Sequence, residues 1–83
     1  MEEEIGKIKH FFGKISVAVI ELTGELNVGD KIHVKGPSTD FIQPVDSMQI
    51  DHKDVEKATP GQAVGMKTSD PAREGDVVFK VVD

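Results

Sequence analysis

Apolar and polar residues alternate along most of this chain, and the alternation has period two. Lys31 to Lys35 shows it most cleanly: Ile32 and Val34 fall on one side, Lys31, His33 and Lys35 on the other. A strand sends successive side chains to opposite faces of a sheet, so one of these sets joins a core and the other faces out. Ile15 to Leu22 is rich in β-branched residues and is the strongest strand former. Ile15, Val17 and Val19 line one of its faces and Ala18, Ile20 and Leu22 the other, which predicts cover on both sides. Ile5 to Phe12 predicts a first strand with Ile8, His10 and Phe12 opposite Lys7, Lys9 and Phe11. Further strands are expected at Val45–Ile50, with Met48 and Ile50 inward, at Ala63–Lys67, and at Val77–Val82, where Val77, Phe79 and Val81 share a face. Pro44 lacks an N–H and predicts an edge position or a bulge. Asp51 to Lys57 has no 3.6-residue repeat and predicts a turn, or at most one helical turn.

Turn-forming residues separate these segments at Gly13-Lys14, Thr23-Gly24-Glu25, Gly36 to Asp40, Ala58 to Gly61 and Ser69 to Glu74. Three of the strand entries share a phrase, a glycine and a polar residue followed by a short apolar run: Gly29-Asp30, Gly61-Gln62 and Gly75-Asp76. About six or seven short strands with no long helix predict an all-β protein, a small closed antiparallel β-barrel of six to seven strands. Closure removes exposed sheet edges, which otherwise invite aggregation. The 83 residues suit one domain, 1–83, with 1–4 an acidic, solvated start.

Composition narrows the function. Cysteine is absent, which excludes disulfides, thiolate metal sites and cysteine nucleophiles. There is no tryptophan or tyrosine, so Ile, Val, Leu, Met and four Phe must build the core. MEEEI carries no apolar leader, and no apolar run is long enough to span a membrane; cytoplasm is the expected location. A net charge of −5 opposes bulk attraction to nucleic acid or anionic membrane, so any RNA contact needs a local basic patch.

Lys7, Lys9, His10, Lys14, Lys31, His33 and Lys35 supply such a patch if the first strand and the Lys31–Lys35 strand approach each other. The plainer reading is a solvated strand face. Phe11 and Phe12 are adjacent, so a regular strand exposes one of them at a binding surface, whereas a bulge or barrel corner buries both. His10, His33 and His52 have no metal-ligand spacing, and no serine sits in a nucleophile elbow. No catalytic residue, cofactor or metal is expected.

The ordered set LNVGDKIHVKG, VDSMQIDHKDVEKATPGQAVGMK and REGDVVFKV resembles the β-barrel second domain of translational GTPases such as elongation factor Tu. The resemblance runs from about Ile5 to Val81 through Val28-Gly29-Asp30, Gly36, Val45–Ile50, Ala58–Gly61, Val64-Gly65 and Arg73–Asp76. Phe11 to Lys14 departs from the family's glycine-rich strand entry, and no phosphate-binding loop is present. The resemblance implies a non-catalytic module for ribosomal RNA or tRNA, with Lys7, Lys9, Lys14, Lys31, His33, Lys35 and Phe11 at the contact. A weaker similarity, through the same Val-Gly-Asp turn, is to the small β-barrel appended to collagenase-like peptidases. The alternative function is accordingly a protein-interaction adaptor that docks to a separate GTPase or peptidase.

Overall fold

The computed structural model describes residues 1–82. It contains ten strands and, among the described residues, no helix: β1 (Glu2–Phe12), β2 (Val17–Leu22), β3 (Leu26–Asn27), β4 (Lys31–Gly36), β5 (Thr39–Pro44), β6 (Met48–Ile50), β7 (Lys53–Val55), β8 (Lys57–Ala58), β9 (Ala63–Lys67) and β10 (Val77–Val81). Eight form one antiparallel sheet in the order β5-β4-β10-β1-β2-β9-β6-β7, and β3 pairs with β8 in a separate ribbon.

The all-β expectation is met, but the closed barrel of six to seven strands is not found. No ladder joins β5 to β7, the two ends of the sheet order. Pro44 explains much of this. It ends β5, which lies on the sheet edge as its missing N–H requires. The chain then leaves the ladder, and Val45 bonds instead to the turn before β4: its N–H donates to the Asp30 carbonyl, and its own carbonyl accepts from Gly29. On the far side, β6 meets β9 at a single register position, Gln49 opposite Gly65. A side chain crosses the remaining seam. Gln43 is buried; its Nε2 donates to the Lys67 carbonyl at 3.0 Å, and its Oε1 accepts from the Ser69 N–H at 2.7 Å.

The three echoed phrases are the same turn built three times. In each, a residue's carbonyl accepts from the N–H three positions later: Asn27 from Asp30, Thr59 from Gln62, Arg73 from Asp76. The third residue is glycine with φ of +99°, +92° or +90°, the conformation a type II turn demands. In each, the fourth side chain also reaches back to the first N–H: Asp30 at 2.9 Å, Gln62 at 2.8 Å, Asp76 at 2.8 Å. The polar residue after glycine is therefore a turn lock, and this explains why Asp76 is buried without an unsatisfied oxygen.

Asp51 and His52 form the two-residue loop between β6 and β7, both with positive φ, as a type I′ hairpin requires. The charged 51–57 segment is thus a hairpin and the start of β8, with no helical turn.

Inside the curl, Ile5, Ile8, Ala18, Ile20, Leu22, Leu26, Ile32, Val34, Phe41, Val45, Met48, Val64, Met66 and Val78 form one core. Ile32 and Val34 point inward as their alternation predicts, and so does Met48, while Ile50 is half-buried against the core. Val77, Phe79 and Val81 share a face, but it is the outer one; Val78 carries the inward side of β10. β1 reaches back to Glu2, which pairs with Val81. Its register slips twice, at Glu4/Gly6 and at Ile8/His10, and each slip resets the alternation. That is why Ile5, Ile8 and Phe11 all meet the core although they are spaced by three.

Candidate functional site

The proposed basic surface is dispersed, and two of its members, Lys9 and His33, are paired with carboxylates. β1 and β4 are not neighbours, since β10 lies between them. Lys7 and Lys35 both register with Val77, on either side of it, and Lys31 and Glu2 flank Val81 in the same way. His33 stands opposite Phe79, whose other neighbour is Glu4. Its Nδ1 lies 2.6 Å from Glu2 Oε2, and its Nε2 meets Asp40 Oδ1. Both ring nitrogens face carboxylates, an arrangement suited to the doubly protonated imidazolium. Hydrogen bonds to Asp40 and then Glu2 raise the His33 pKa above its ordinary value of 6.5, with partial burial pulling the other way. Lys9, at the second slip of β1, lies 3.8 Å from Glu21. Lys14 is exposed on the 13–16 turn. Phe11 is half-buried against the core, so it is Phe12, 47% exposed, that faces solvent. The adjacent pair thus divides between the two faces.

The opposite wall is different. Phe12, Ile15, Val17, Val19, Ala63 and Gly65 line a groove of about 500 Å³ together with Gln49, Asp51 and His52. Each part has a local cause. The 13–16 turn, with Ser16 at φ +54°, carries Ile15 out of the strand and leaves it 59% exposed. The alternation of β2 sends Val17 and Val19 outward as it sends Ala18 and Ile20 in. On β9 two of the outward partners are small: Gly65 lies opposite Val19 and Ala63 opposite Glu21, while Lys67 lies opposite Val17. A glycine cannot cover Val19, so a trough remains there. The Asp51-His52 hairpin tip forms its far rim. His10 stacks edge-on against Phe12, with ring centroids 4.3 Å apart, and extends the wall along β1. No group of three His, Cys, Asp or Glu among the described residues is placed to hold a metal, and no described helix is long and apolar enough to cross a membrane.

The groove is an apolar surface with a few polar groups at its rim, an arrangement suited to binding. Comparison with known proteins agrees with the weaker of the two resemblances. The chain is similar to one module of longer peptidases. It is 48% identical over 77 residues to a protein of Methanocaldococcus jannaschii named as an uncharacterized protease, a match that spans 92% of this chain and 19% of that protein. It is 35% identical over 78 residues to a collagenase of Porphyromonas gingivalis, across 92% of this chain and 22% of the collagenase. The chain therefore spans about a fifth of the length of these relatives. No family model matches it. The fold is that of the C-terminal domain of a Geobacillus thermoleovorans protein described as a U32 peptidase, with a TM-score of 0.90 at 19% identity over 96% of this chain and 93% of that domain. A selenomethionine variant of that domain superposes with a TM-score of 0.87, over 92% of this chain and 96% of it.

These matches correct the expected kinship with translational GTPases and, with it, the ribosomal RNA or tRNA module. The three Gly-polar turns that carried that resemblance are local solutions to a strand entry, and their presence does not separate one β-fold family from another. Sequence reasoning also missed the groove. Its signal was the two-sided apolar character of Ile15–Leu22, where only the inner side finds cover within this chain.

Proposed function

We propose that this chain is a non-catalytic β module that docks onto a peptidase of the kind its relatives are named for. The observation that carries this reading is the similarity itself: nearly all of this chain matches about a fifth of proteins named as protease and collagenase. A module of that proportion leaves the chemistry to the other four-fifths. The curled sheet, a barrel left open at the Gln43 seam, supplies rigid walls for binding. The test is capture of the tagged full chain with chemical cross-linking in its source cells, followed by mass spectrometry. The expected result is one dominant partner with the sequence of a U32-type peptidase. Recovery of ribosomal proteins, or of no peptidase, would refute the proposal.

A further inference from the structure

The module has two outer walls, and the structure distinguishes which of them is built to be covered. On the β4–β10–β1 side the apolar residues Val77, Phe79 and Val81 are half-buried beneath Lys31, His33, Lys35, Glu2 and Glu4. Among them His33 bonds Glu2, and long side chains stand on either side of the apolar strand. On the β1–β2–β9 side, Phe12 and Ile15 stand 47% and 59% exposed beside the half-buried Val17 and Val19. Opposite Val19 the neighbouring strand offers Gly65, with Ala63 next along it, and Lys67 opposite Val17 is not among the residues that line the groove.

Charge narrows the occupant. Lys14 adjoins Ile15 in the chain, and Lys67 sits opposite Val17 in the register. Neither makes an ion pair among the described residues. Asp51 is the one carboxylate in the lining. A chain of net charge −5 thus sets two lysines beside an apolar trough, just outside its lining. A second copy docked here by two-fold symmetry would set this lysine-flanked face against itself, with Asp51 the one carboxylate of the trough to meet the lysines, which disfavours self-association. The relatives continue for another four-fifths of their length beyond the matching module, and that remainder is the partner the comparisons offer.

We infer that the Phe12–Ile15–Val17–Val19 groove is the docking surface for the peptidase partner, and that it receives an apolar segment flanked by carboxylates. This inference rests on the peptidase reading above and adds the face and the chemistry of the contact. The anchors are Phe12 and Ile15, which project furthest, and Lys14 and Lys67 orient the acids of the incoming segment. Apolar anchors in a pocket with a charged rim are the usual division of labour at such an interface.

The test uses the full chain and the peptidase recovered from the source cells. A photo-reactive residue is placed at Ile15 and, separately, at Ile42, which is 55% exposed on β5 beyond the charged wall. The expected cross-link to the peptidase forms from position 15 and not from position 42. In calorimetric titration, Ile15→Asp weakens binding at least tenfold and Ile42→Asp changes it less than twofold. Lys14→Glu combined with Lys67→Glu weakens it several-fold and flattens its salt dependence. Both single variants alter exposed positions, and circular dichroism confirms that they fold. Cross-linking from 42 alone, or Ile15→Asp binding like the unmodified chain, overturns the docking face while leaving the peptidase reading intact. A peptidase that does not bind the unmodified chain at all overturns both. A stable dimer of this chain that Ile15→Asp dissolves overturns the choice of occupant.

Discussion

The two outer walls of this sheet each turn an apolar strand outward and flank it differently. On the β4–β10–β1 wall, β10 shows Val77, Phe79 and Val81 to the outside, but β4 and β1 flank it with Lys31, His33, Lys35, Glu2 and Glu4. On the β1–β2–β9 wall, β2 shows Val17 and Val19; β9 sets Gly65 opposite Val19 and Lys67 opposite Val17, and Ala63 lines the same groove. The residue types beside an apolar strand, more than the strand itself, decide whether it becomes a closed wall or a trough. A conspicuous row of charges can therefore be internal upholstery. A glycine and an alanine, which carry no chemistry of their own, can define a site by failing to cover their neighbours.

The comparison depends first on β2 having one structural side and one free side. Ile20 is fully buried, while its strand neighbour Val19 is half-buried facing out. Ile20→Ala should cost about 2–5 kcal/mol, because it removes transfer energy and leaves a cavity in a close-packed core. Val19→Ala should cost well under half as much. Urea denaturation of the two variants measures this directly. If Val19→Ala costs as much as Ile20→Ala, the outer face of β2 is part of the folding core and the trough is not spare surface.

The charged wall makes a pH-dependent prediction. Glu2 from β1 and Asp40 from β5 bond His33 directly; Glu4 lies beyond Phe79 on β1, and Lys31 and Lys35 flank His33 along β4. The carboxylates raise the His33 pKa above 6.5, so the folded chain holds this proton more tightly than the unfolded chain does. The resulting stability is fully present below pH 6.5 and is lost as the pH rises through the folded pKa. His33→Gln should therefore destabilise the protein by about 1 kcal/mol or less at pH 6 and by less still at pH 9, since the group lies near the surface. Denaturation at the two pH values, with an NMR titration of the His33 ring, checks the sign. A ring that titrates at or below 6.5, or a loss in His33→Gln that grows with pH, would show that this wall is not self-satisfied.

Much of the fold was legible, and the exceptions share a cause. Period-two alternation correctly turned Ile32 and Val34 inward and grouped Ala18, Ile20 and Leu22 on one face, although it expected cover on both sides of that strand, and Pro44 correctly marked an edge. It failed in β1, because two register slips reset the phase and alternation reads only relative phase. In β10 it grouped Val77, Phe79 and Val81 on one face, as found, but that face is the outer one, and alternation does not say which side is in. A turn was expected over Asp51 to Lys57, but not its two-residue hairpin form at Asp51-His52, because hairpins of this kind usually advertise a glycine. For the candidate site, the sequence held the residues of the groove but not their grouping. Phe12, Ile15 and His52 are brought together by the 13–16 turn, the β6–β7 hairpin and the smallness of β9, three features far apart along the chain.

The smallest expected effect on folding belongs to the residue with the largest expected effect on binding. Ile15 is 59% exposed, and its N–H makes one 3.3 Å bond to the Phe12 carbonyl that any side chain at this position keeps. Ile15→Ser should shift folding stability by no more than about 0.5 kcal/mol, as is usual for surface substitutions away from caps and cores. Removing exposed apolar area also costs the folded state little hydrophobic energy, because that area was already in water. If the trough is docking surface, stability and affinity should separate here: unfolding midpoints coincide for Ile15→Ser and the unmodified chain while peptidase binding falls. If instead Ile15→Ser lowers the unfolding midpoint as Ile20→Ala does, Ile15 is a structural residue of the turn. The contrast between a self-covered wall and an uncovered one would then lose its sharpest point.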